Sequence, residues 1–178
     1  MRSACIAGIL GLALVSAGAF ARDSKKDEAD PVRFEWGVKI PMRDGVRLNA
    51  TVYRPLEQKG GLPCIFFLTP YIAQGAHDRA MYFAGRDYVF VSVDTRGRGN
   101  SEGESKPMLQ EAKDAHDAVE WLAAQPWCSK VGMWGGSYTG YDQWATAKEF
   151  PPHLATIVPT AAVGPGIDFP MLNNLFYT

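Results

Sequence analysis

Ser137 lies in the run Trp134-Gly135-Gly136-Ser137-Tyr138-Thr139-Gly140. A serine hydroxyl accepts an acyl group only when it is exposed, near a base, and faced by donors for a developing oxyanion. A strand that breaks sharply into a helix through small residues supplies the exposure. Glycines at 135, 136 and 140 surround Ser137 and let strand and helix backbones approach closely. Ser137 then opens a helix, and the Tyr138 amide points where an oxyanion would form, helped by the helix dipole. Serine is also a favoured helix N-cap, so the residue has a purely structural reading as well. Its flanks favour the nucleophile: Val131-Gly132-Met133-Trp134 reads as a buried strand, and 137–150 as a helix ended by Pro151-Pro152. One departure stands out. The common elbow is Gly-x-Ser-x-Gly, but here Thr139 holds the fifth place and the glycine follows at 140.

Other candidate chemistry is weaker. The chain has three histidines and three cysteines, and none shows metal-ligand spacing. No cofactor and no metal are expected. Gly97-x-Gly99 follows a strand, but a dinucleotide fingerprint needs glycine at 102, where Glu stands. That loop instead reads as a brace of the site edge, with Arg96 or Arg98 paired to Asp94 or Glu102. Asn49-Ala50-Thr51 has the form of a glycosylation acceptor, yet it falls within a predicted strand.

The elements that must position Ser137 follow from hydrophobic periodicity. Phe34 to Ile40 is a plausible strand, Asp44-Gly45 a hairpin turn, and Val46 to Tyr53 the alternating return strand. Cys64 to Thr69 and Tyr88 to Val93 are short apolar runs, as in buried parallel strands. Ala76 to Gly85 looks helical. In Leu109 to Ala124 the residues Ala112, Ala115, Val119, Leu122 and Ala123 recur at helical steps. Leu154 to Pro159 is the last parallel strand. A hairpin followed by strand–helix alternation predicts an α/β sheet with crossover helices.

The ordered motifs together resemble the peptidase S15 family of α/β-hydrolases. That family holds Xaa-Pro dipeptidyl-peptidases, cocaine-esterase-like (CocE/NonD) hydrolases and α-amino-acid ester hydrolases. The resemblance is carried by Gly-Gly-Ser-Tyr-x-Gly at 135–140, Glu120 to Trp127, Met42 to Leu48 with Tyr53-Arg54-Pro55, Leu68-Thr69-Pro70-Tyr71, and Asp94 to Gly103. It covers about residues 34–178. It implies an α/β-hydrolase fold, a mostly parallel sheet with helices on both faces, truncated before the last strands and a C-terminal β domain. It implies serine hydrolysis of an ester or amide through an acyl-enzyme on Ser137. By the same resemblance the Tyr138 amide is one oxyanion donor and the Tyr71 hydroxyl the other.

In this fold the triad runs Ser, acid, His along the chain. His153 precedes the last strand, about 20 Å from Ser137 along a helix of about 13 residues. His116 lies mid-helix, and His77 follows Tyr71 on the correct edge but in the wrong order. None is expected to be the base, so acid and base are expected beyond Thr178. Negligible turnover is expected of the 178-residue chain. The competing reading is a non-catalytic binding protein or a gene fragment that does not fold stably. The family fold also sets the third and fifth strands side by side, which makes a Cys64–Cys128 disulfide a hypothesis. Thr160 to Thr178 resembles the entry into a cap and is expected to line the substrate pocket.

The N-terminus is a separate object. Arg2, an apolar run from Cys5 to Val15, and Ala19-Phe20-Ala21 read as a secretory signal peptide at 1–21, cleaved after Ala21. A periplasmic or secreted location is expected, with no stable membrane anchor after cleavage. Residues 22–33 read as a flexible leader. Formal net charge is −1 without a basic block, so no nucleic-acid partner is expected. The expected partner is a small-molecule or peptide substrate. The oligomeric state is open.

Overall fold

The computed structural model describes residues 31–164 and two short strands near the C-terminus. The segment read as a signal peptide and most of the segment read as a leader lie outside the described residues, as do the side chains of residues 165–178. Among the described residues no helix is long and apolar enough to cross a membrane.

The six main strands are β1 (Val32–Pro41), β2 (Arg47–Pro55), β3 (Leu62–Thr69), β4 (Val89–Asp94), β5 (Cys128–Gly136) and β6 (Leu154–Thr160). They form one sheet in the order β1-β2-β4-β3-β5-β6. β1 and β2 are antiparallel to their neighbours, while β4, β3, β5 and β6 run parallel. The expected α/β class is observed. The minor strands β7 (Met171–Leu172) and β8 (Leu175–Phe176) pair separately.

β1 begins at Val32, inside the segment expected to be a flexible leader, because Val32 pairs with Pro55 and Arg33 with Arg54. Charged flanks hid this end of the strand, whose outer face is exposed and shows little apolar periodicity.

Alternation divides the core. Cys64, Phe66 and Leu68 join Val89, Val91 and Val93 on one face, packed on Ala115, Ala118, Val119 and Leu122 of α2 (Glu111–Ala123). Ile65, Phe67, Phe90 and Trp134 take the other face, against Ala80 and Ala84 of α1 (His77–Ala84). A 3₁₀ turn at Ala73–Ala76 leads into α1. The helix α3 (Tyr138–Lys148) follows β5 and lies beside α2.

Cys64 and Cys128 sit on the paired strands β3 and β5, where Cys64 opposes Val131 and Leu62 opposes Cys128. Their Cα atoms are 5.7 Å apart and the sulfurs are in bonding contact, a separation typical of a bridge. This pair joins the two strands at the end remote from Ser137.

Candidate active site

Parallel pairing brings three strand ends together. β3 lies between β4 and β5, so Asp94, the Thr69–Tyr71 segment and Ser137 emerge at one edge of the sheet. Tyr71 and Tyr138 meet there edge-to-face, with ring centroids 6.2 Å apart. Ser137 and Tyr71 are both exposed, Tyr71 by 66%.

Ser137 has φ +58° and ψ −121° and makes no side-chain cap hydrogen bond. The structural role of N-cap is therefore not what its hydroxyl does. A non-glycine residue held at positive φ costs about 1–3 kcal/mol and persists only where its surroundings over-determine it. Here those surroundings are identifiable. The Ser137 amide donates to the Thr160 carbonyl at 2.9 Å, tying the elbow to β6. The amides of Gly140 and Tyr141 donate back to the Ser137 carbonyl at 3.0 Å and start α3.

Thr139, the departure from the common elbow, explains the glycine before it. Its hydroxyl donates to the Gly136 carbonyl at 2.8 Å. Its side chain fills the space beside Gly135, which has φ +150°. A Cβ at 135 would lie 2.2 Å from Thr139 Oγ1 and 3.2 Å from Phe67 Cε2. The volume absent from 135 is occupied by 139.

Gln143 braces the backbone around the elbow, a role that sequence reading missed. It is fully buried. Its Nε2 donates to the Gly135 carbonyl at 3.0 Å and to the Thr139 carbonyl at 2.9 Å, and its Oε1 accepts from the Val158 amide at 2.8 Å. One amide thus clamps the end of β5, the first turn of α3 and β6. Its position two residues past Tyr141 in a helix gave no hint of this, apart from a glutamine on a face that turns inward.

The Tyr138 side chain is anchored at its hydroxyl. Its hydroxyl donates to Glu111 Oε1 and accepts from the Met108 amide at 3.0 Å. Burial, and next the bond to Glu111, raise its phenol well above the ordinary range. Tyr141 donates to the Met108 carbonyl at 2.8 Å, and burial chiefly pushes its phenol up to about 12. Asp142 lies nearby, fully buried, and neither carboxylate oxygen has a hydrogen-bond partner among the described residues. Burial, then the charge of Glu111, hold its carboxyl well above the usual range.

The histidines are engaged elsewhere. His153 Nδ1 lies 2.6 Å from Glu120 Oε2, before β6 at the opposite sheet edge. His116 Nδ1 contacts Arg43 at 3.2 Å. His77 was expected on the Ser137 edge. Instead its ring packs on Phe34 and Tyr53, with Nδ1 3.2 Å from the Tyr53 hydroxyl. Among the described residues no group of histidines, cysteines and carboxylates forms a metal site.

The loop pairings also differ from expectation. Arg96 bridges Asp44 and Asp114, each at 2.7 Å, rather than Asp94 or Glu102. Glu102 binds Arg47. Arg98 donates to the Pro70 carbonyl at 3.1 Å. The turn at Gly97 and Gly99 reverses the chain, which carries Arg96 toward α2 and leaves the Asp94 carboxylate facing inward.

Comparison with known proteins agrees with this layout. The family model described as X-Pro dipeptidyl-peptidase (S15 family) matches residues 44–170. Cocaine esterase of Rhodococcus sp. (strain MB1 Bresler) is 39% identical over 132 residues, covering 70% of this chain and 23% of that protein. A CocE/NonD family hydrolase structure from Staphylococcus aureus superposes with TM-score 0.64 at 27% identity, over 70% of this chain and 26% of that one. An α-amino acid ester hydrolase structure gives TM-score 0.67 at 26% identity, over 85% and 28%. The chain spans about a quarter of the length of these relatives.

Proposed function

The chain belongs to the X-Pro dipeptidyl-peptidase (S15) family of α/β-hydrolases, and on that premise we propose that it carries the nucleophile and oxyanion hole of a serine hydrolase for an ester or amide. The observation that carries the reading is Ser137 itself, exposed at φ +58° with its hydroxyl free of any capping bond. In the proposed reaction Ser137 Oγ attacks the substrate carbonyl and passes its proton to a histidine. The tetrahedral oxyanion accepts hydrogen bonds from the Tyr138 amide and the Tyr71 hydroxyl. Collapse expels the alcohol or amine, and water then releases the acid from Ser137.

The three histidines of the chain have other partners, so none of them is assigned as the base; in this fold the triad follows the chain order Ser, acid, His. The relatives' names mention cocaine, α-amino acid esters and X-Pro dipeptides, and each keeps ester or amide acyl transfer in view. Export to the periplasm or medium, with cleavage after Ala21, is part of the same proposal and rests on the N-terminal sequence.

The test uses the longest product of the reading frame that contains this segment. A fluorophosphonate probe is expected to label Ser137, and Ser137→Ala to abolish both labelling and turnover. An active preparation that resists the probe excludes the mechanism. The 178-residue chain alone is expected to turn over a p-nitrophenyl ester negligibly. Fast hydrolysis by that chain, lost in Ser137→Ala, would mean that a base lies within it.

A further inference from the structure

Tyr71 has little side-chain support. Its ring touches Tyr138 at one edge and is otherwise exposed. What aims it is backbone, and that backbone is strained. Ile72 has φ +75° and ψ +119°, a rare state for a β-branched residue. Such strain persists only if neighbouring bonds hold it.

Those bonds come from β4 and the loop after it. Asp94 Oδ1 accepts from the Ala73 amide at 2.7 Å. Ser92 Oγ donates to the Ala73 carbonyl at 2.7 Å. Both groups of the residue after the strained turn are therefore fixed by side chains of one strand. The Thr95 amide donates to the Thr69 carbonyl at 3.0 Å, and Arg98 holds the Pro70 carbonyl.

Asp94 is itself fully buried and locked. Its Oδ2 accepts from the Asn100 amide at 3.3 Å and from Asn49 Nδ2 at 3.4 Å. Ser101 Oγ donates to its carbonyl at 2.7 Å. A Cβ at Gly99 would stand 2.3 Å from the carboxylate, so the loop closes over Asp94 without room for a side chain. The carboxylate faces the Tyr71 turn on one side and the Gly-rich loop on the other.

We propose that Asp94 is the positioning residue of the oxyanion hole, aiming Tyr71 through the Ala73 amide. It touches no reacting atom. Its role rests on the reading of the Tyr71 hydroxyl as a donor. With Asp94 in place, the turn at Ile72 holds Tyr71 beside Tyr138 before substrate arrives, and no ordering is needed in the transition state.

Two measurements test this. Amide exchange by NMR on the 178-residue chain is expected to show Ala73 protected, and at least about tenfold faster exchange in Asp94→Asn with Val91 unchanged. Ser92→Ala, which keeps the carboxylate, is expected to leave most of that protection in place. In the longest product of the reading frame that contains this segment, Tyr71→Phe is expected to lower kcat by about 10²–10³ with KM little changed. Asp94→Asn is expected to lower kcat at least about tenfold, and the double variant to be no slower than Tyr71→Phe alone. Multiplying effects would show that Asp94 acts elsewhere and overturn the proposal. Unchanged Ala73 exchange in Asp94→Asn overturns it too, whatever Ser137 does. An unaffected kcat in Tyr71→Phe overturns the reading of Tyr71 and the proposal with it, while leaving Ser137 as the nucleophile.

Discussion

Gly135→Ala is the most informative single change, because its cost follows from two geometric facts. The residue sits at φ +150°, which an L side chain rarely adopts, at about 1–3 kcal/mol. The added Cβ would also lie 2.2 Å from Thr139 Oγ1 and 2.8 Å from Thr139 Cβ. Overpacking of that kind costs about 1–3 kcal/mol more. The sum, about 2–6 kcal/mol, is a large part of the stability of about 5–15 kcal/mol typical of a domain. Thr139→Gly alone loses a hydrogen bond to Gly136 and adds a helical glycine, together about 2 kcal/mol. It also removes both close atoms. Urea unfolding of the four proteins of the cycle is the assay. The double variant is expected to be more stable than the sum of the singles predicts, by about 1–3 kcal/mol. Additive effects within about 0.5 kcal/mol would refute the claim that Thr139 occupies the space Gly135 vacates.

Gln143→Ala strips partners from two carbonyls and one amide, and is expected to cost at least about 2 kcal/mol by chemical unfolding and to lower nucleophile labelling. Asp142 has a raised folded-state pKa, so it favours folding below the ordinary carboxylate pKa and loses that benefit as pH rises through the raised value. Asp142→Asn is therefore expected to raise Tm at pH 8 and to gain little at pH 4; an equal gain at both would contradict the burial argument. Oxidised chain lacking residues 1–21 is expected to show no free thiol when denatured without reductant, and reduction to cost about 4 kcal/mol for a sequence separation of 64. Two free thiols would exclude the Cys64–Cys128 bridge.

Much of this protein was legible in one dimension. Short apolar runs between turn signals located the four parallel strands; β4 is buried along its whole length, as such a run implies, while β6 lies at the sheet edge and is largely exposed. The glycines around Ser137 marked the elbow: Gly135 leaves room for Thr139 of α3, and Gly136 and Gly140 let the chain pass close to Thr160 and Ala162. Other features were hidden for stated reasons. The start of β1 carries an exposed face, so its period was weak. His77 follows Tyr71 in chain order, yet its ring packs on Phe34 and Tyr53, residues of strands distant in sequence. Arg96 found Asp44 and Asp114 because the Gly97 turn redirected it, and turn geometry is not written in charge spacing.

The amino-acid sequence by itself determined the fold class, the strand-to-helix break and the identity of the candidate nucleophile, since these follow from local period, turn chemistry and the absence of Cβ atoms. Only the tertiary structure decided that the Ser137 hydroxyl is not spent on a cap, that Gln143 clamps three elements, and that Asp94 holds the Tyr71 turn. The Gln143 and Asp94 contacts join groups 4 to 21 residues apart along the chain. They depend on strand order and register, and a sheet order of β4-β3-β5 is set by how whole faces are buried rather than by any one segment.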